Sequence, residues 1–169
     1  GFAPAHTHQR EWMMELMEGV EDIPGAVLSE GVKWEWETFP EYMDAVARIP
    51  RIMDVGAQIP HGALRVYVMG ERGANREAAT IDDMKTMAAL AKEAVEAGAL
   101  GFTSSRTIVH RTKRGASVPS MGVDAQELIT IASAIGETGK GVVQLISDWD
   151  DLEAEFNLIQ QVAEFFNQC

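Results

Sequence analysis

At 169 residues, 46% of them hydrophobic and 24% charged, the chain has the composition of a globular protein large enough to bury a core. Its formal charge of −12 argues against a nucleic-acid backbone or an anionic membrane surface as partner, since both need a basic footprint. The one cysteine, Cys169, allows no disulfide within the chain, no apolar run approaches the ~20 residues of a membrane helix, and no signal peptide is visible, which together point to a cytoplasmic setting.

Residues 1–51 read as a helical segment. Between His8 and Met17, the residues Trp12, Met13, Leu16 and Met17 recur at helical spacing. Pro24 suits the start of a short helix through Val27 and Leu28. Thr38 and Glu41 form a capping box for a helix carrying Tyr42, Met43, Val46 and Ile49. From Ile52 the pattern changes to alternating strands and helices. IMDVGAQI reads as a buried strand ending at Pro60-His61-Gly62, and an apolar segment with Arg65 embedded in it follows. Thr80 and Asp83 cap a helix whose stripe is Ile81, Met84, Ala88, Ala91 and Val95, with Gly98 as its stop. ALGFTSS is the second strand. Asp124 and Glu127 then cap a helix carrying Leu128, Ile129, Ile131, Ala132 and Ile135. GVVQLIS is the third strand, and a last helix from Asp150 or Asp151 buries Leu152, Phe156, Ile159, Val162, Ala163 and Phe166.

Strand-helix repeats of this kind predict an α/β fold with a parallel sheet, either doubly wound or part of a (β/α)8 TIM barrel. A whole barrel takes about 250 residues and eight strands. The reading is therefore a partial barrel of about three βα units over residues 52–169, preceded by the helical segment 1–51, the two being a fragment of one larger catalytic domain.

Carboxyl ends of parallel strands are where ligands bind, because loops and helix N-termini converge there. The first strand ends in Gln58, Pro60 and His61, the second in Thr103, Ser104, Ser105 and Arg106, the third in Ser147, Asp148, Trp149, Asp150 and Asp151. His61 is either a pocket histidine or one bonded within a tight turn. The loop after the second strand carries His110, Arg111, Lys113 and Arg114, a basic island that either grips a carboxylate or phosphate or is simply solvated. Arg106 is the better anion ligand because it lies near the strand end. Ser104 and Ser105 lack a G-x-S-x-G elbow and suit hydrogen bonding rather than nucleophilic attack. His6 and His8 have a metal-compatible i, i+2 spacing, but GFAPA before them is not a strand and the start of a helix explains them. Capping of the last helix explains Asp148, Asp150 and Asp151 more simply than a hard cation does. No P-loop and no dinucleotide fingerprint is present.

Four segments in order, GFAPA, LMEGVEDIPGAVLSEGVKWEWETFPEYMDAV, VGAQIPHGALRVYVMG and EAGALGFTSSRTIVHR, resemble the D-aminoacylase and N-acyl-D-amino-acid deacylase group of the amidohydrolase superfamily, nearly to Ser147. The resemblance implies a metal-dependent hydrolase on a (β/α)8 barrel that deacylates N-acyl-(D-)amino acids or related small amides. Zinc would activate the water, and an aspartate late in the barrel would shuttle the proton. In that group a metal-binding cysteine precedes the GFAP segment, which puts it before Gly1. The paired histidines fall further upstream and the aspartate downstream, so no metal ligand carries over to this sequence. Where the third strand ends in a metal-binding histidine in D-aminoacylases, this chain has Ile146, Ser147 and Asp148. What carries over is a set of substrate-binding candidates, His61, Arg65, Ser105, Arg106 and His110. The alternatives are a non-catalytic relative with a degenerate metal site, binding a ligand or partner, and an unrelated barrel isomerase using His61 as acid/base. By itself the fragment is expected to be inactive, and a homo-oligomer is possible.

Overall fold

A computed structural model describes residues 1–167; Cys169 lies outside the described residues. A short helical turn at Thr7–Gln9 leads into α1 (Arg10–Glu21), followed by α2 (Gly25–Gly31) and α3 (Phe39–Arg48). Thr38 caps α3 as its sequence predicts. Its hydroxyl accepts from the Glu41 amide, and the Glu41 carboxylate returns to the Thr38 amide at 2.9 Å.

The α/β part then runs β1 (Ile59–Pro60), α4 (His61–Met69), α5 (Glu71–Ala74), α6 (Ile81–Glu96), β2 (Gly101–Arg106), α7 (Ala125–Gly136), β3 (Val142–Ser147) and α8 (Leu152–Asn167). The strands form a parallel sheet in the order β1-β2-β3, with Ile59 opposite Phe102 and Ser105 opposite Ile146. Thr80 and Asp83 cap α6 reciprocally. Gly101 has φ of +148° and lies so close to Val142 that a Cβ would collide with that residue's backbone; only glycine lets β2 and β3 meet there.

Helices α6, α7 and α8 pack side by side, each against the next. Met87, Ala91, Ile131, Ile135, Leu158 and Val162 meet Phe102 in one core, and Val143 and Leu145 of β3 pack against it. Ala3 and Phe39 from the helical segment join the same core. Successive crossover helices thus cover one face of the sheet, while alternate strand residues Thr103, Ser105, Gln144 and Ile146 line the other.

Three readings change. The strand expected over Ile52–Ile59 contracts to Ile59–Pro60, with Ile52, Met53 and Val55 exposed. Among the described residues β1 has a neighbour only on its β2 side, so the apolar run before it has nothing to bury against. In α8, Leu158 and Val162 are buried while Leu152, Phe156 and Ala163 are exposed, because α7 covers only one side of the helix. Ile81, at the first position of α6, is exposed, and Met87 and Ala94 complete the buried stripe. Among the described residues no helix is long and apolar enough to cross a membrane.

Candidate functional site

Two polar arrangements sit at the carboxyl ends of the strands, on opposite faces of the sheet. Behind it, His61 opens α4, Arg65 follows one turn later, Ser104 is on β2 and Glu127 is on α7. The side chains of His61, Arg65 and Glu127 are 0%, 1% and 2% exposed. His61 Nδ1 lies 2.8 Å from Ser104 Oγ and Nε2 lies 2.6 Å from Glu127 Oε1. Arg65 Nη1 donates to both Glu127 oxygens, and its Nη2 donates to the Glu77 carbonyl at 2.5 Å. Glu127 therefore does not cap α7. Asp124 alone does so, accepting from the Gln126 amide at 3.0 Å.

Burial pushes His61 below its ordinary value and outweighs the opposing pull of Glu127, while Arg65 nearby pushes it further down. Burial by itself would raise Glu127, but the hydrogen bonds and charges of His61 and Arg65 more than offset that and leave it lowered. The consistent state is a charged Arg65–Glu127 pair with neutral His61. In it Nε2–H donates to the carboxylate and Nδ1 accepts from Ser104. Both ring nitrogens of His61 are thereby committed within the protein.

On the other face is a cleft of about 230 Å³. Its polar lining is Thr103 and Ser105 from β2, Gln144 from β3, and His110 and Ser120 from the loop after β2; the edge of His61 also reaches it. Leu16, Met17, Val20 and Val118 make an apolar wall. Ser105 Oγ and His110 Nδ1 are 2.7 Å apart.

The loop that carries His110 is tied down along its length. Asp148 accepts from Thr107 Oγ and from the Ile108 amide, and Ser120 Oγ donates to the Ser105 carbonyl at 2.8 Å. Arg111 and Ser117 form an antiparallel bridge. The basic island docks on α1 through Lys113–Glu18 and Arg114–Glu15 pairs, each at 2.7 Å. Gly19 permits that contact, because a Cβ there would collide with the Arg111 carbonyl and the Lys113 amide.

Of the residues singled out from sequence, the structure brings His61, Ser105 and His110 to the cleft and places Arg65 and Arg106 outside it. Arg106 is held by Glu155 of α8, with Nη2 2.7 Å from Oε1, and donates to the Val123 carbonyl at 3.2 Å. Sequence reading placed Thr103 at the ligand end of the second strand without selecting it as a binding residue and missed Gln144; their period-2 spacing with Ser105 and Ile146 was the available signal. His6 stacks on Tyr67, with ring centroids 4.0 Å apart, and bonds Glu37 at 2.7 Å. Among the described residues no three His, Cys, Asp or Glu side chains come together to hold a metal, and the end of β3 offers Asp148 already engaged by Thr107 and Ile108. The residues present do not by themselves fit a zinc centre.

The sequence pattern of the amidohydrolase family matches residues 3–165. The chain is also 25% identical over 130 residues to a D-aminoacylase of Alcaligenes xylosoxydans xylosoxydans, a match covering 62% of this chain and 26% of that protein. The chain thus spans about a quarter of the length of the curated relative it matches. No solved structure matches it.

Proposed function

The chain belongs to the amidohydrolase family, and we propose from that premise that it is part of a larger hydrolase cleaving non-peptide amide C–N bonds, with N-acyl-(D-)amino acids as substrates. The observation that carries the reading is the family match over residues 3–165 together with the D-aminoacylase similarity. The sheet suits it. Parallel strands with their crossover helices on one face and a cleft on the other are what a (β/α)8 barrel looks like when cut to a few of its units. Residues 52–169 form that partial barrel in this reading, and 1–51 are a helical insertion over its mouth.

The parent hydrolase is metal-dependent in this reading, with zinc held by residues outside the described chain. Gly1 lines the cleft, so the cysteine that the family resemblance puts before it would arrive at the same place. Within this chain the Ser105–His110 pair, Thr103 and Gln144 bind substrate, and His61 shapes the cleft from behind. The end of β3, Ile146-Ser147-Asp148, favours a second reading, a non-catalytic relative that binds the same class of ligand without turnover.

The test uses the full-length protein with N-acetyl-D-leucine, following release of the free amino acid. Turnover that is lost on chelation and restored by zinc supports the hydrolase. Absence of turnover in zinc-replete protein overturns it, and ligand binding without turnover establishes the second reading.

A further inference from the structure

Among the described residues the cleft is lined without a permanently charged cation. Among the described residues neither Arg nor Lys lines it, and both arginines with a claim to a substrate carboxylate are engaged elsewhere, Arg65 by Glu127 and Arg106 by Glu155. Glu21 at the lining adds negative charge. A carboxylate entering here would lose its water and meet no permanent counter-charge in this lining.

What the cleft does offer is hydrogen bonding. The Ser105–His110 pair behaves alike in either arrangement of its shared proton. With Ser105 donating to Nδ1, the pair presents Nε2–H as donor and the serine oxygen as acceptor. With Nδ1–H donating to Ser105, the serine hydroxyl becomes the donor and Nε2 the acceptor. One donor and one acceptor are left in both cases. Gln144 supplies another of each and Thr103 a hydroxyl, next to the apolar wall of Leu16, Met17, Val20 and Val118. A secondary amide carrying an apolar acyl group has the matching set: one carbonyl acceptor, one N–H donor, no charge and an alkyl tail.

We infer that this cleft is the subsite for the uncharged acyl-amide half of the substrate, recognised by Ser105–His110, Thr103 and Gln144, and that the substrate carboxylate lies outside it. The inference rests on the amide-hydrolase reading. It divides the substrate between two surfaces, with the acyl-amide half on this chain and the carboxylate held by residues of the parent beyond it.

The experiment compares two ligands that differ only in the carboxylate, N-acetyl-D-leucine and its decarboxylated analogue N-isopentylacetamide. Calorimetric Kd values are measured on the full-length protein and on its His110→Ala and Gln144→Leu variants. Gln144 is exposed on β3, so its variant is expected to fold, and circular dichroism checks both. Loss of one neutral hydrogen bond predicts that each variant weakens both ligands by the same factor, about five- to tenfold. A loss confined to N-acetyl-D-leucine would place the carboxylate in the cleft and overturn the inference, as would unchanged binding of both ligands. Because the readout is binding, a wild-type protein without turnover refutes the hydrolase reading and still leaves this subsite to be decided by the two Kd values.

Discussion

Replacing Glu127 by Gln isolates the buried cluster behind the sheet. The substitution keeps size and shape but removes the charge opposite Arg65, whose side chain is 1% exposed. It also puts an amide N–H where two donors, Arg65 Nη1 and His61 Nε2, now point at oxygen. His61 can adapt by moving its proton to Nδ1 and donating to Ser104, 2.8 Å away. Arg65 cannot, because a guanidinium does not give up its proton in a protein. Removing one partner of a buried pair destabilises by about 3–5 kcal/mol, and the tautomer change at His61 argues for the lower end, about 3 kcal/mol. Urea unfolding of the full-length protein measures it. Removing both charges with Arg65→Met and Glu127→Leu together should recover most of the loss, since no uncompensated ion is left. A Glu127→Gln protein within about 1 kcal/mol of the wild type, or a double variant weaker than the single one, would refute the assignment of a buried Arg65–Glu127 ion pair.

The same cluster sets an acid limit on stability. His61 is lowered from its ordinary 6.5 by burial, so the folded protein binds fewer protons than the unfolded chain; its contribution is whole above about pH 6.5 and is lost as pH falls below that. Glu127, lowered from 4.5 once its bonds outweigh burial, adds a second loss below that value, in the same direction. Urea midpoints taken from about pH 8 down to about pH 4 should fall steadily, and a midpoint that rises between about pH 7 and about pH 5 would contradict a neutral buried His61. At Gly19, helix propensity alone predicts a gain of up to about 1 kcal/mol from alanine. The collision of a Cβ with the Arg111–Lys113 backbone reverses the sign: Gly19→Ala should lower the melting temperature and weaken N-isopentylacetamide binding by displacing the His110 loop. A more stable variant with unchanged binding would show that the loop does not rest on α1.

Much of this fold is legible in short stretches of sequence. Thr38 with Glu41, Thr80 with Asp83 and Asp124 with the amide two residues on are caps whose partners lie within one helical turn, so local chemistry suffices to place them. Gly101 and the β-branched run of β3 mark strands in the same way. The candidate site is legible only in outline. Ser105 and His110, five residues apart, could be read as neighbours at a strand end, and the cleft contains both. Glu127 could not be read so. Its position in the first turn of α7 is that of a capping residue, and nothing nearby in sequence announces a histidine 66 residues and an arginine 62 residues away. The extent of β1 and the buried side of α8 were likewise open, since an apolar run is buried only where a neighbour covers it. Local sequence sufficed for α3, α6 and α7 with their Thr38, Thr80 and Asp124 caps, for β2 and β3, and for the strand ends at which a ligand would sit, while the helices α4 and α5 after β1 were not read from it. The crossovers decided the rest, because they carry Glu127 on α7 to Arg65 behind the sheet and leave that arginine outside the cleft lining.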